Sequence, residues 1–170
     1  MKTEDISKLP PDIKKQFMKY AIKLAEKKKQ SAAHDDFLSF VKHVWPEFIE
    51  GDHHKKIAEK FNRLANGECK RIIINMPPRH TKSEFASNLL PAWMIGRKPD
   101  LKIIQTTHTT ELAVRFGRKA KTLIDSPEYQ EIFKTKLKED SQAAGKWETQ
   151  QGGEYYAAGV GSAITGRGAD

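Results

Sequence analysis

The sequence of 170 residues lacks several features that mark specialised classes of protein. Its only cysteine, Cys69, excludes an internal disulfide bond, and a lone cysteine is most often a small core residue. No apolar run approaches the roughly 20 residues that a membrane-spanning helix needs. The stretch Met1–Lys8 is polar and charged, unlike a signal peptide. We find no internal repeat and no low-complexity linker, and we therefore expect a soluble intracellular protein without a membrane association.

Basic charge is what the chain has in excess. Lysine and arginine number 30 against 22 acidic residues, for a formal net charge of +8, and hydrophobic residues make up 38%, too many for a disordered chain. A basic protein attracts polyanions without regard to their sequence. The charges are spread over two segments, Lys14–Lys29 and Arg115–Lys121, and such helical faces are commonly just solvated. Charge alone leaves nucleic-acid binding open.

Helical periodicity dominates the first part of the chain. Pro10-Pro11 opens a first predicted helix, which is expected to fade near Lys28–Ser31. A second predicted helix covers His34–Val44. Asp52 is expected to cap a third helix, which ends at Gly67.

Strands and helices then alternate. The β-branched run Arg71–Asn75 predicts a buried parallel strand, which leads into the loop Met76–Ser83. A helix follows through about Ile95, and Pro91 can introduce a kink in it. Leu101–Gln105 predicts a second buried strand, followed by another helical stripe. This alternation indicates an α/β fold with a parallel sheet.

The pattern changes after Ser126-Pro127. Two runs of strand-forming residues, Trp147–Gln150 and Glu154–Val160, flank Gly152-Gly153. Glycine pairs between two such runs are typical of tight turns. We therefore predict a β-hairpin in this part of the chain.

The loop Met76–Ser83 has the layout of a phosphate-binding loop, with a strand before it and Lys-Ser at the start of a helix. Backbone N–H groups and the positive end of the helix dipole meet there, Lys82 can reach terminal phosphates, and the Ser83 hydroxyl is placed to bind Mg²⁺. The usual pattern has glycine at the positions of Met76 and Thr81. Because Thr81 is β-branched, we expect it to resist the left-handed conformation that glycine permits.

Other polar residues near the loop have more than one interpretation. Arg79 can stabilise charge on a transferred phosphate or can simply be solvated. We interpret His80 as structural. The remaining histidines before the loop match no zinc-ligand spacing, so we predict no zinc site; they are His34, His43, His53 and His54.

Six short motifs follow one another along the chain. They are His53-His54, Pro77–Glu84, Thr107–Ala113, Ser126–Tyr129, Lys146–Thr149 and Gly159–Asp170. Each is weak alone, but their order and spacing from about Phe37 to Asp170 resemble the large subunit of tailed-bacteriophage terminases.

The resemblance implies a fold, a function and partners. The fold would be an additional-strand P-loop NTPase related to RecA-like motors and helicases, with an N-terminal helical segment over 1–50 and the first part of the ATPase domain over 51–170. The Walker B strand and the nuclease domain are expected beyond these residues. Such proteins use ATP and Mg²⁺ to move double-stranded DNA into a procapsid in the cytoplasm of an infected bacterium. They act as a homo-oligomeric ring on the portal protein, with a small terminase subunit, and cut DNA as endonucleases.

The resemblance also implies roles for particular residues. Lys82 would act in catalysis with Arg79, which would lie near the γ-phosphate, and Ser83 would hold Mg²⁺. Arg167 would be an arginine finger that reaches the ATP of a neighbouring subunit. His54, or alternatively His53, would lie beside the adenine. The nucleotide-binding residues of the loop would be Pro78, Arg79, His80, Thr81, Lys82, Ser83 and Glu84.

Two other interpretations remain open. The chain could belong to a different P-loop enzyme, such as a helicase-like ATPase or a small-molecule kinase, although it has no lid signature. It could also bind DNA or a partner through the basic helix Ile13–Lys29 without hydrolysing ATP. Because the catalytic carboxylates are expected beyond these 170 residues, we expect the chain alone to bind ATP poorly and to hydrolyse it hardly at all.

Overall fold

The computed structural model describes residues 10–170, so the charged stretch Met1–Lys8 lies outside the described part. The fold is mixed α/β. The helices are α1 (Pro11–Asp35), α2 (Phe37–Val44), α3 (Asp52–Ala65), α4 (Lys82–Glu84), α5 (Leu90–Arg97), α6 (Thr110–Ile124) and α7 (Pro127–Ile132), and a π-helical segment (Phe85–Leu89) joins α4 to α5. The strands are β1 (Lys102–Thr107), β2 (Leu137–Ala143), β3 (Lys146–Thr149) and β4 (Glu154–Gly159).

The four strands form one mixed sheet in the order β1-β4-β3-β2. Strand β4 pairs antiparallel with β3, so the predicted hairpin is confirmed, and it pairs parallel with β1, a pairing that was not predicted. Gly153 is required at the hairpin turn, because an added Cβ would lie 2.3 Å from the carbonyl oxygen of Pro99. The Thr149 hydroxyl accepts the Gly153 N–H at 2.8 Å and completes the turn. Strand β2 and helix α7 were not predicted.

The N-terminal helices differ from the predicted ones at their ends. Helix α1 does not fade near Lys28–Ser31 but continues to Asp35, because Ala33 is fully buried and its carbonyl oxygen accepts the indole N–H of Trp93 at 3.1 Å. The predicted start of the second helix at His34 is wrong. Asp36 caps α2 instead, and its carboxylate accepts the N–H of Ser39 at 2.7 Å.

The third helix is confirmed with a different cap. It begins at Asp52, but the cap position belongs to Gly51, which has extended backbone. It ends at Ala65, and Gly67 follows with a positive φ of 77°. A left-handed glycine after a helix is a common way to end it.

The predicted strand Arg71–Asn75 is wrong as a paired strand. The stretch has no regular secondary structure and belongs to no ladder of the sheet that residues 10–170 form. It does alternate as a strand would, with Ile72 and Ile74 packed against the core and Ile73 88% exposed. A β-branched run favours the extended conformation, but a strand also needs a hydrogen-bonding neighbour, which local sequence cannot supply.

The helix after the loop is predicted correctly, but its irregularity is displaced. The π-helical segment lies just before Pro91, and the N–H of Leu90 donates to the carbonyl oxygen of Phe85, five residues back. Proline has no N–H to donate and crowds the preceding turn. A single wider π turn inside a helix can absorb such a break without ending the helix.

An aromatic cluster at the centre of the core joins the helices. The Phe37 ring lies 5.1–5.5 Å from the rings of Phe61, Phe85 and Trp93, in edge-to-face arrangements that add to the burial of apolar area. This cluster contains residues on both sides of position 50. The division into segments 1–50 and 51–170 stays a prediction.

Helix α6 packs directly on the sheet. A Cβ added at Gly117 would lie 2.5 Å from the carbonyl oxygen of Ala144, so only glycine permits this approach. The Gly117 carbonyl oxygen accepts the indole N–H of Trp147 at 3.1 Å, and the Trp147 ring stacks on Tyr155. Helix and sheet are therefore joined by hydrogen bonding as well as by packing.

Replacing Phe37 by alanine should lower the free energy of unfolding by about 3–5 kcal/mol, because it leaves a cavity in the aromatic cluster. Tyr20→Ala on the exposed face of α1, where Tyr20 is 66% exposed, is the matched control and should change it by less than about 0.5 kcal/mol. Urea unfolding followed by fluorescence measures both. Equal effects in the two variants would contradict the placement of the core.

Candidate functional site

The loop Met76–Thr81 has an unusual backbone. Two residues that are not glycine have positive φ, Arg79 at 64° and Thr81 at 58°. Thr81 therefore adopts the left-handed conformation that its side chain was expected to resist. Such residues cost roughly 1–3 kcal/mol each and persist only where surrounding contacts hold them.

The loop and the first helical turn line one cavity of about 480 Å³, which is open to solvent. Its lining brings together Met76, Pro77 and all seven residues that were predicted to bind a nucleotide from the loop, namely Pro78, Arg79, His80, Thr81, Lys82, Ser83 and Glu84. The helical segment that begins at Lys82 continues through the π-helical segment to Arg97. Its first turn therefore opens onto the cavity, and backbone N–H groups at a helix start favour an anion.

Lys82 spans the loop. Its ammonium group donates to the carbonyl oxygen of Met76 at 3.3 Å, across the whole turn. The side chains of Arg79 and Ser83 are exposed at the same cavity. A phosphate in the cavity would thus meet two cations and a hydroxyl group.

Glu84 is held by two partners. One carboxylate oxygen accepts from the amide of Asn88 at 2.8 Å, and the other accepts from the ammonium group of Lys119 at 2.8 Å. These contacts draw the carboxylate towards α6 and reduce the negative charge that the cavity presents. The arrangement suits a positioning role for Glu84 better than that of a base.

A series of hydrogen bonds runs from α3 to the loop through His54. The N–H of Gly51 donates to Nδ1 of His54 at 2.9 Å, so this nitrogen carries no proton. The proton of the neutral ring is then on Nε2, which donates to the Thr81 hydroxyl at 2.7 Å. The Thr81 hydroxyl donates in turn to the carbonyl oxygen of His80 at 2.7 Å. The Gly51 N–H, the His54 Nε2–H and the Thr81 hydroxyl therefore each donate to one acceptor, which is consistent with a neutral His54.

The surroundings of His54 favour its neutral form. The residue is 5% exposed, and its ring lies 4.8 Å from that of Phe48 and 5.0 Å from that of Phe85. Burial lowers the pKa of His54 below its ordinary value, nearby His53 and His80 lower it further, and Glu50 opposes the shift. Because both ring nitrogens have partners inside the protein, contact with an adenine stays a prediction that the geometry does not itself suggest.

Arg167 lies apart from the loop cavity. Its guanidinium group pairs with the carboxylate of Glu154 and lies 3.8 Å from the ring centre of Tyr156, both on β4. A finger that acts on a neighbouring subunit need not approach its own loop, so the role of Arg167 stays a prediction.

The residues that support the loop were not predicted from the sequence. Lys119 and Asn88 hold Glu84, and Gly51 holds His54. One signal was present: a capping residue followed three positions later by a side chain that can accept its N–H is a known helix-start pattern, in which His54 takes the usual place of glutamate. Lys119 lies 35 residues from Glu84, and no local signal marks it.

Between residues 10 and 170, no helix is long and apolar enough to cross a membrane, and no three His, Cys, Asp or Glu side chains are grouped to hold a metal ion.

Comparisons with protein-family models, curated protein sequences and solved structures found no match. The terminase resemblance therefore depends on the motifs themselves.

The pH dependence of stability should report the environment of His54. Because its pKa is lowered on folding, the unfolded state binds more protons below pH 6.5, and the free energy of unfolding should fall as the pH drops from that value. We expect His54→Phe, which keeps the ring packing and cannot titrate, to reduce this fall in urea unfolding measured between pH 5 and pH 8. An unchanged or steeper fall in the variant would contradict the assignment.

Proposed function

We propose that Met76–Ser83 binds the phosphates of a nucleotide, and that the chain is the front part of the ATPase motor of a DNA-packaging terminase. The single observation that carries the proposed phosphate site is the left-handed conformation of Thr81 directly before Lys82. In the usual motif this position is a glycine, and here threonine takes the same conformation at a cost. A loop that keeps this backbone conformation without glycine, at an energetic cost, supports a role of the conformation in binding phosphate.

The positions of the charged groups support the same proposal. Lys82 bridges the loop to Met76, and Arg79 is exposed at the cavity. Lysine and arginine beside a helix start are suited to the terminal phosphates, and the Ser83 hydroxyl, which lines the same cavity, would bind Mg²⁺. ATP with Mg²⁺ is the ligand that this set of groups would take.

The more specific proposal, a packaging motor, depends on the order of the six motifs. It adds double-stranded DNA as the substrate that is moved, a ring of identical subunits, and the portal protein and small terminase subunit as partners. In that ring Arg167 would act on a neighbouring subunit, for which its contacts with Glu154 and Tyr156 would have to be released. The nuclease activity would belong to a further domain.

Lys82→Ala should weaken binding of Mg-ATP by the chain about tenfold or more, equivalent to about 1.4 kcal/mol, because it removes the cation that spans the loop. Lys60→Ala is the matched control: it removes the same charge from an exposed position on α3 and should leave the affinity unchanged. Binding is expected to be weak, so NMR titration of the backbone amides of the loop is the suitable measurement. Equal affinities in wild type and Lys82→Ala would refute the phosphate site.

Hydrolysis is a separate test of the same proposal. We expect the chain of 170 residues to show hardly any turnover, because the carboxylates that hold Mg²⁺ and activate water are expected elsewhere. Robust turnover that Lys82→Ala abolishes would contradict that expectation while supporting the phosphate site. Stimulation of a longer form by DNA would favour the motor, and stimulation by a small-molecule acceptor would favour a kinase.

One observation favours a second candidate function, binding of DNA without hydrolysis. The lysines of α1 are exposed, among them Lys27, Lys28 and Lys29, and the same helix exposes Met18, Tyr20 and Ile22 by more than half of their surface. A long basic helix of this kind is accessible along most of its length.

If α1 binds DNA, changing Lys27, Lys28 and Lys29 together to glutamine should reduce the slope of the logarithm of affinity against that of salt concentration. The reduction should be about 0.9 for each phosphate that the variant no longer neutralises. Lys55, Lys56 and Lys60 of α3, changed together to glutamine, are the matched control. Fluorescence anisotropy at several salt concentrations measures the DNA affinity of both triple variants. Lys82→Ala should leave the DNA affinity and its salt dependence unchanged. Equal slopes in the two triple variants would reject α1 as the binding surface.

A further inference from the structure

The left-handed backbone conformation of Thr81 is unfavourable and needs a stabilising contact. A β-branched residue in the left-handed region is unfavourable, and glycine is the residue that normally occupies it. At φ 58° Thr81 is the last residue before Lys82, so its conformation sets the direction in which Lys82 and Ser83 leave the loop. Some contact outside the loop has to hold it there.

The only side chain from another element that is hydrogen-bonded to Thr81 among the described residues is His54. Its ring is fixed by neighbouring rings and at both nitrogens: Phe48 and Phe85 pack against it, and the N–H of Gly51 occupies Nδ1. The orientation of Nε2 is therefore set by α3 and the core, not by the loop. The bond of 2.7 Å from Nε2 to the Thr81 hydroxyl carries that orientation across 27 positions of the sequence.

We infer that His54 is a positioning residue, which holds Thr81 in its left-handed conformation through the Thr81 hydroxyl and thereby keeps the loop shaped for phosphate. The inference rests on the proposed phosphate site. It differs from the contact with adenine that the family resemblance implies for His54. It also explains why threonine can stand at this position: a hydroxyl group supplies an anchor that glycine lacks.

Four variants separate this role from a general decrease in stability. His54→Phe keeps the aromatic packing and removes both hydrogen bonds. Thr81→Val keeps the shape of the side chain and removes the hydroxyl. Thr81→Gly can adopt the left-handed conformation without a hydrogen bond to its side chain. The double variant His54→Phe with Thr81→Gly tests whether His54 still affects pyrophosphate binding when residue 81 needs no such hydrogen bond. The probe is pyrophosphate, which has the phosphates of a nucleotide but no base.

His54→Phe and Thr81→Val should each weaken pyrophosphate binding about tenfold, which corresponds to about 1.4 kcal/mol. In the Thr81→Gly background, His54→Phe should change the affinity by less than about twofold, because glycine needs no anchor. An equal decrease from His54→Phe in both backgrounds would overturn the inference, since it would mean that His54 acts through general stability. So would a decrease in ATP affinity with pyrophosphate affinity unchanged, which would assign His54 to the base.

A readout without ligand separates failure of this inference from failure of the phosphate site. In the wild type, ¹⁵N NMR should find the proton of His54 on Nε2, and the Gly51 amide should exchange slowly with solvent. If these signatures are present and pyrophosphate does not bind to any variant, the proposed function fails and the series of hydrogen bonds stands. If His54 instead carries its proton on Nδ1, the inference fails whatever the loop binds.

Discussion

The packing of Phe85 against neighbouring aromatic rings holds both the core and the start of the loop helix in place. Its ring is fully buried and lies 5.0–5.5 Å from those of Phe37 in α2, His54 in α3 and Phe48 in the segment between these two helices. Phe85 is also the first residue of the π-helical segment, three positions after Lys82. The start of the loop helix is therefore fixed by the same apolar contacts that hold the N-terminal helices together. A loop fixed to a packed core can keep a strained backbone, because the core moves little.

The backbone strain is concentrated in the loop that we propose to bind phosphate. Arg79 and Thr81 are the described non-glycine residues with positive φ, and both belong to the loop. Strained residues need support from groups that are themselves well held. His54 is one such group, and Glu84, held by Lys119 and Asn88, fixes the first helical turn from the other side. Support from both sides is what would let the usual glycine be replaced.

Sequence alone could predict the parts of this molecule that depend on local chemistry. The helix from Lys82, the strand near Leu101–Gln105 and the hairpin at Gly152-Gly153 follow from periodicity and turn residues, and the structure has them. It could not predict that Arg71–Asn75 is unpaired, because pairing depends on distant strands. Nor could it predict the contact of His54 with Thr81, because side chains 27 positions apart meet only after the helices have packed. The loop residues were therefore predictable, and their supports were not.

The contacts of the loop divide into fixed and exchangeable ones, and this division fits a site that binds and releases phosphate. The hydrogen bond from His54 to the Thr81 hydroxyl is 2.7 Å long and part-buried, and the same hydroxyl donates at 2.7 Å to the adjacent carbonyl oxygen of His80. Lys82, in contrast, is joined to Met76 by a longer bond of 3.3 Å to a neutral carbonyl oxygen. A bond between an ammonium group and a phosphate is charge-assisted and stronger, so a phosphate at the proposed site would displace Met76 without disturbing the backbone. A rigid backbone in which only the lysine exchanges its partner would reduce the ordering that binding requires, because the loop is already in shape.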